Sequence, residues 1–386
     1  MHSFSFILSV GAFVCLGLPK AQAVVVVPQN DQQVIEVLPN PKGSITEQRK
    51  LLQKLAQNPK DAQVAVEVAR QYLSIARKQG DPRFAGRALA VLQPWPDPAK
   101  TPDEVLLMLA TLQQYLHEFD HSVKNLELIV TRNPRHAQAW LTLATVKRVQ
   151  GRYTDSDLAC QGVATAGESW YARACTAENN SLRGNFNLAR QTYSELLAKP
   201  NVAPETRAWL LTTAAEGEAR AGNFAKAEQF YIEALALTGD AYTALSYSDF
   251  LLERQRPVDA LTQLRKQTRT DAVLLRLAIA GVAAKTAQAS SDVRLVREQM
   301  ASVQLRPEAR TSHARELAMF ALWVDQNPKN ALISARENIR HQREPLDILI
   351  LAQAAKAANE AAGLEEVRAL IKDMGLRDQR LQALLS

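Results

Sequence analysis

The sequence is poor in the residues that build tight turns and β-strand faces. Of 386 residues only 15 are glycine, and aromatic residues make up 6%, which argues against a chain made of short strands and hairpin turns. A large charge imbalance is missing too. The 46 lysines and arginines stand against 40 acids, and the two signs are mixed along the chain, so there is no basic stripe of the kind that holds nucleic acid. No Gly-Lys dipeptide occurs, hence no P-loop, and neither G-x-G-x-x-G nor G-x-S-x-G is present. The longest uncharged apolar run, near the N-terminus, falls short of the about 20 residues of a membrane span. What remains is an ordinary folding composition, 47% hydrophobic and 22% charged, with Ala, Leu, Gln, Arg and Glu prominent. That mixture leans towards helix.

The first 23 residues form a separate object. From Phe4 to Leu18 there is no charge, and Ala21-Gln22-Ala23 then sets small residues two apart. This is the form of a secretory signal cleaved after Ala23. Cys15 lacks the small residues that precede a lipidated cysteine. The mature chain is therefore expected to be exported, to a bacterial periplasm. Residues 24–44 carry four valines and then Pro28, Pro39 and Pro41, which predicts an extended or flexible arm rather than a helix.

Self-similarity dominates the rest. The string GNFNLARQTYSELL, from Gly184 to Leu197, is followed by GNFAKAEQFYIEAL, from Gly222 to Leu235. They share Gly, Asn, Phe, Ala, Gln, Tyr, Glu and Leu in register. The shared pattern is a break, an aromatic two residues on, a small residue three after that, then large residues four and seven further. Gly151, Tyr153, Ser156, Cys160 and Val163 fit it, as do His117, Phe119, Ser122, Leu126 and Ile129. Gln255, Ala260 and Leu264 fit with Pro257 in the aromatic slot, and Gly80, Ala85, Leu89 and Leu92 fit near the N-terminus. Upstream of each break lies a second pattern at spacings of three and four: Trp140, Leu143 and Ala144; Leu106, Leu109 and Ala110; Leu211, Ala214 and Ala215; Ala244, Tyr247 and Ser248. Such spacings mark one helix face, so the unit reads as helix, short turn, helix.

These residues resemble the tetratricopeptide repeat (TPR) family. The resemblance implies an all-α, right-handed superhelical solenoid of about nine antiparallel helix–turn–helix units, each burying its apolar face on its neighbours. Residues 45–270 would form the N-terminal array, and residues 271–386 degenerate repeats continuing the stack. Two departures stand out: the 62–95 unit has an extra turn in its first helix, and Lys147 and Glu218 replace a common aromatic.

Three groups of residues are candidates for chemistry. His117-Glu118-Phe119-Asp120-His121 spells H-E-x-x-H, the zinc-protease signature. That chemistry needs both imidazoles on one continuous helix, whereas the repeat register places a turn between them, so no metal site is assigned. Cys160 and Cys175 are an even pair in an exported chain, which permits a disulfide. The register sets them on helices that pack together in a TPR stack. The alternative is two small buried hydrophobes.

The third group follows from the concave face that the resemblance assigns to first helices. Trp170, Trp209 and Tyr242 recur at the second position of three successive first helices. About two turns later come Glu178 (shifted by one), Glu216 and Asp249. Aromatics anchor interfaces, and acids beside them favour a basic or amine-bearing ligand. The competing reading has the aromatics packing on the preceding unit.

With nearly the whole chain spent on repeats, the expected function is a non-catalytic scaffold for a protein or peptide partner, with no cofactor. By resemblance that partner belongs to the cell envelope. A zinc hydrolase and a self-associating spacer are the alternatives.

Overall fold

The computed structural model describes residues 44–305 and 311–386. The expected signal peptide and the arm, apart from Ser44, lie outside them. The chain divides into two units, residues 1–49 and 50–386. The first contributes only the opening of one described helix, and the hairpins belong to the second.

Twenty α-helices and no strand occur among the described residues. After α1 (Ser44–Gln57) they pair in chain order. The hairpins are α2 (Ala62–Gln79) with α3 (Pro82–Val91), α4 (Asp103–Tyr115) with α5 (Phe119–Arg132), and α6 (Ala137–Val149) with α7 (Tyr153–Thr165). Then come α8 (Ser169–Leu182) with α9 (Phe186–Leu197), α10 (Pro204–Arg220) with α11 (Phe224–Thr238), and α12 (Ala241–Glu253) with α13 (Pro257–Leu264). The last three pair α14 (Asp271–Ala283) with α15 (Ala289–Gln304), α16 (Ala314–Trp323) with α17 (Pro328–Asn338), and α18 (Pro345–Ala357) with α19 (Ala361–Met374). A short α20 (Gln379–Leu385) closes the chain.

Each hairpin turn contains one residue with positive φ. In order these are Gly80, His117, Gly151, Gly184, Gly222, Gln255, Lys285, Gln326 and Asn359. The left-handed residue ends the first helix and lets the next backbone N–H reach back, as in Glu118 N to Gln113 O at 2.8 Å and Asn223 N to Glu218 O at 2.8 Å. This closure satisfies carbonyls that the helix end would leave orphaned.

The small slot of the repeat lies where the two helices cross. Ser122, Ser156, Ala189, Ala227 and Ala260 are all buried there. Ser122 Oγ donates to Ala110 O at 2.9 Å and Ser156 Oγ to Ala144 O at 2.8 Å, so neither buried hydroxyl is left unsatisfied. One turn on, Leu126, Cys160 and Leu264 are at most 1% exposed; burying a leucine there contributes about 1.5–3 kcal/mol. First helices also pack on first helices, α4 on α6, α6 on α8, α8 on α10 and α10 on α12, which makes the continuous row of a repeat stack.

The later hairpins return to the turns of the earlier ones. Arg343 N donates to Val149 O at 2.7 Å, and Arg377 N donates to Leu182 O at 2.8 Å. Tyr153 and Leu182 share one apolar cluster with Met319, Ile348, Val367, Met374 and Leu376. Arg380 reaches Glu253, 127 residues away, at 2.8 Å. The edge formed by the turns at Gly151 and Gly184 is thus covered by the chain's own C-terminal segment. A plain continuation of the stack does not require this contact.

Candidate partner-binding face

Trp170 opens α8 and Trp209 lies in the first turns of α10. Their ring centroids are 6.5 Å apart at 50°, and both pack on the cluster of Ala174, Tyr193, Leu196 and Leu210. An aromatic pair at this spacing contributes about 0.5–1.5 kcal/mol beyond its buried area. Both indoles therefore have a structural role between neighbouring units. Tyr242, the second residue of α12, differs: it is 60% exposed.

The acidic row divides as well. Glu178 pairs with Arg148 at 2.8 Å. Asp249 receives two parallel bonds from Arg276, Nε to Oδ1 and Nη2 to Oδ2, both 2.7 Å. This bidentate geometry is the strong form of an arginine–carboxylate pair. Glu216 has no cation within ion-pair reach among the described residues. Its Oε1 accepts from Tyr242 Oη at 2.9 Å and from Ser246 Oγ at 2.9 Å, while Ser246 is also bonded to Tyr231. Burial pushes the Glu216 carboxyl above the usual carboxylate range, against the field of Arg220 and the two hydroxyl donors. The Glu216 charge, burial and the charge of Glu344 together hold the Tyr242 hydroxyl well above its ordinary value. Tyr242 thus leaves much of its ring open to water while its hydroxyl is tied to Glu216.

Glu344 caps α18 within a second polar network. Arg315 donates to Glu344 at 2.5 Å and to both oxygens of Asp347 at 2.6 and 2.8 Å. Asn338 Nδ2 and Gln342 Nε2 donate to Asp347 and Glu344 respectively. Burial would strip Arg315 of its charge, but the two carboxylates more than offset it and hold the guanidinium protonated. Neither network shows in the repeat pattern, because the pattern fixes which face a residue occupies and not its partner. Arg148 and Arg276 each lie about one repeat from the acid they neutralise, and that offset is the one signal that could have found them.

The H-E-x-x-H residues straddle a turn. His117 is the left-handed residue (φ 63°), and its ring centroid lies 5.5 Å from that of Phe119. His121 is the third residue of α5 and faces Glu118 at 3.7 Å. Burial lowers the His117 pKa; Glu316, Glu344, Arg315 and His313 supply the surrounding charge. Among the described residues no group of three or more His, Cys, Asp and Glu could hold a metal ion. Cys160 of α7 and Cys175 of α8 are joined in a disulfide with Cα atoms 5.8 Å apart. No helix among the described residues is long and apolar enough to cross a membrane.

No family model matches the chain, and no curated protein matches it. Among solved structures the chain is similar to a tetratricopeptide repeat protein from Parabacteroides merdae, at 15% identity and a TM-score of 0.48, covering 61% of this chain and 91% of that one. It is also similar to the TPR domain of P58(IPK), at 15% identity and a TM-score of 0.24, covering 84% of this chain and 96% of that one. The helix–turn–helix repeat itself is carried by the nine left-handed turns and the row of first helices described above.

Proposed function

We propose that the chain is a non-catalytic protein-interaction scaffold of the bacterial cell envelope, which receives a basic segment of its partner beside Tyr242 and Glu216. One observation carries this reading. Of the three acids on the first-helix face, Glu216 alone has no arginine within ion-pair distance among the described residues, and its Oε2 makes no hydrogen bond to them while an exposed tyrosine stands next to it. A lysine or arginine from a partner would supply the missing cation. A hydrogen bond to a charged group contributes about 1.5–3 kcal/mol, and the Tyr242 ring adds an apolar contact for the stem of that side chain. Export to the envelope is supported by the uncharged run from Phe4 to Leu18 and the Ala21-Gln22-Ala23 site.

The test is a crosslinked capture from the periplasmic fraction, comparing wild type with Trp209→Ala/Glu216→Lys and with Glu216→Gln. The expected result is a partner held by wild type and lost from both folded variants. A partner retained equally by all three proteins sinks the proposal.

A further inference from the structure

Where the turn edge is covered by the chain itself, its left-handed residues are glycines. A Cβ on Gly184 would lie 2.8 Å from the Cβ and Cγ of Arg377, and one on Gly222 would collide with the Gln379 amide. Further along the same edge the three next turns carry Gln255, Lys285 and Gln326 instead, all with positive φ and all exposed. A long side chain in that conformation costs about 1–2 kcal/mol, so these side chains are kept despite the backbone they require.

All three line one groove of about 990 Å³, bounded also by α18 and α20. Its apolar wall includes Leu252, Ile279, Val282, Trp323, Leu346 and Leu349. The carboxylates lining it are engaged, Asp249 by Arg276 and Glu253 by Arg380. Two of its cations have no carboxylate partner among the described residues: Lys285, and Arg254, whose guanidinium lies over the Phe224 ring at 4.0 Å. Among the described residues the side-chain amides of Gln255, Gln326 and Gln379 find no hydrogen-bond partner, and each can donate and accept.

We propose that this groove is a second docking site, independent of the face around Glu216, and that it takes a partner's peptide segment bearing large apolar side chains and carboxylates. The apolar wall would bury the hydrophobic side chains. Arg254 and Lys285 would pair with the carboxylates. The glutamines would meet the N–H and C=O groups of the peptide backbone, a match that an apolar small molecule could not use. The partner segment would continue along the turn edge the line that residues 374–380 follow over Gly184 and Gly222.

The experiment selects random short peptides, displayed on phage, against the full mature chain. Bound peptides are then measured on Arg254→Glu/Lys285→Glu, on Ala283→Trp, which fills the groove from an exposed position on α14, and on Glu216→Gln. Unchanged thermal unfolding verifies that each variant is folded. The expected pool is rich in Asp or Glu among Leu, Ile and Phe. It binds at least about tenfold more weakly to the charge-reversed protein and to the filled groove, and normally to Glu216→Gln. Exchanging the peptide carboxylates for lysines restores binding to the charge-reversed protein. A basic pool, a pool sensitive only to Glu216→Gln, or no peptide that separates wild type from both groove variants overturns the proposal.

Discussion

Replacing Gly184 by alanine tests the return of the C-terminal segment onto the turn edge. Two penalties add at this position. Gly184 has φ 85°, and an L-residue in left-handed backbone costs about 1–2 kcal/mol. The new methyl would also lie 2.8 Å from Arg377 Cβ and Cγ, an overpacking that typically costs about 1–3 kcal/mol. Gly239→Ala is the matched control. Its φ is 61° and the nearest neighbouring atom, Leu235 O, is 3.9 Å away, so it carries the backbone penalty without the collision. Hydrogen exchange at the Arg377 amide, which is bonded to Leu182 O at 2.8 Å, separates the two. Gly184→Ala should lower its protection by roughly tenfold or more, since about 1.4 kcal/mol corresponds to a factor of ten. Gly239→Ala should leave it unchanged. Equal protection in the two variants would refute the seating of the C-terminal segment on the turn.

Three further outcomes follow from the same geometry. Replacing both Cys160 and Cys175 by alanine should reduce stability by about 3 kcal/mol in urea unfolding, the value for releasing a loop of this length; no change would mean that the bridge constrains nothing in the unfolded chain. Arg276→Met should destabilise by about 3–5 kcal/mol because Asp249, only 13% exposed, is left uncompensated, and Asp249→Asn in the same chain should recover most of the loss. Recovery should fail if Arg276 acts mainly through packing. His117 has a depressed pKa in the folded state because burial disfavours its cation. The unfolded chain therefore binds the extra proton first, and stability should fall as pH drops below the ordinary imidazole value of about 6.5. His117→Asn, which tolerates the left-handed turn, should remove that part of the acid dependence; an unchanged profile in thermal unfolding would assign it elsewhere.

The helices and their crossing points were legible because each depends on residues close in sequence. The breaks at Gly80, His117, Gly151, Gly184, Gly222 and Gln255, with the small slots at Ser122 and Ala227, define hairpins through local periodicity alone. The turns at Lys285, Gln326 and Asn359 escaped notice, since the first large slot after each holds Arg294, Ala335 or Arg368 in place of a large apolar residue. The candidate face was half legible. Position along a helix placed Glu178, Glu216 and Asp249 in one row, but it could not tell that Arg148 and Arg276 neutralise two of the three. Contacts such as Arg377 N to Leu182 O, which span about half the chain, leave no local pattern at all. They follow from how the hairpins curl, which is a property of the whole stack.

The most direct measurement places a photo-crosslinking amino acid at position 242 in the full-length protein, with a second carrier at Leu188 of α9, where 52% of the side chain is exposed. Irradiation in living cells should give a discrete adduct from position 242 that weakens in the Glu216→Gln background, and none at position 188. An adduct at 188 with none at 242, or a 242 adduct indifferent to Glu216, would contradict partner binding on the first-helix face.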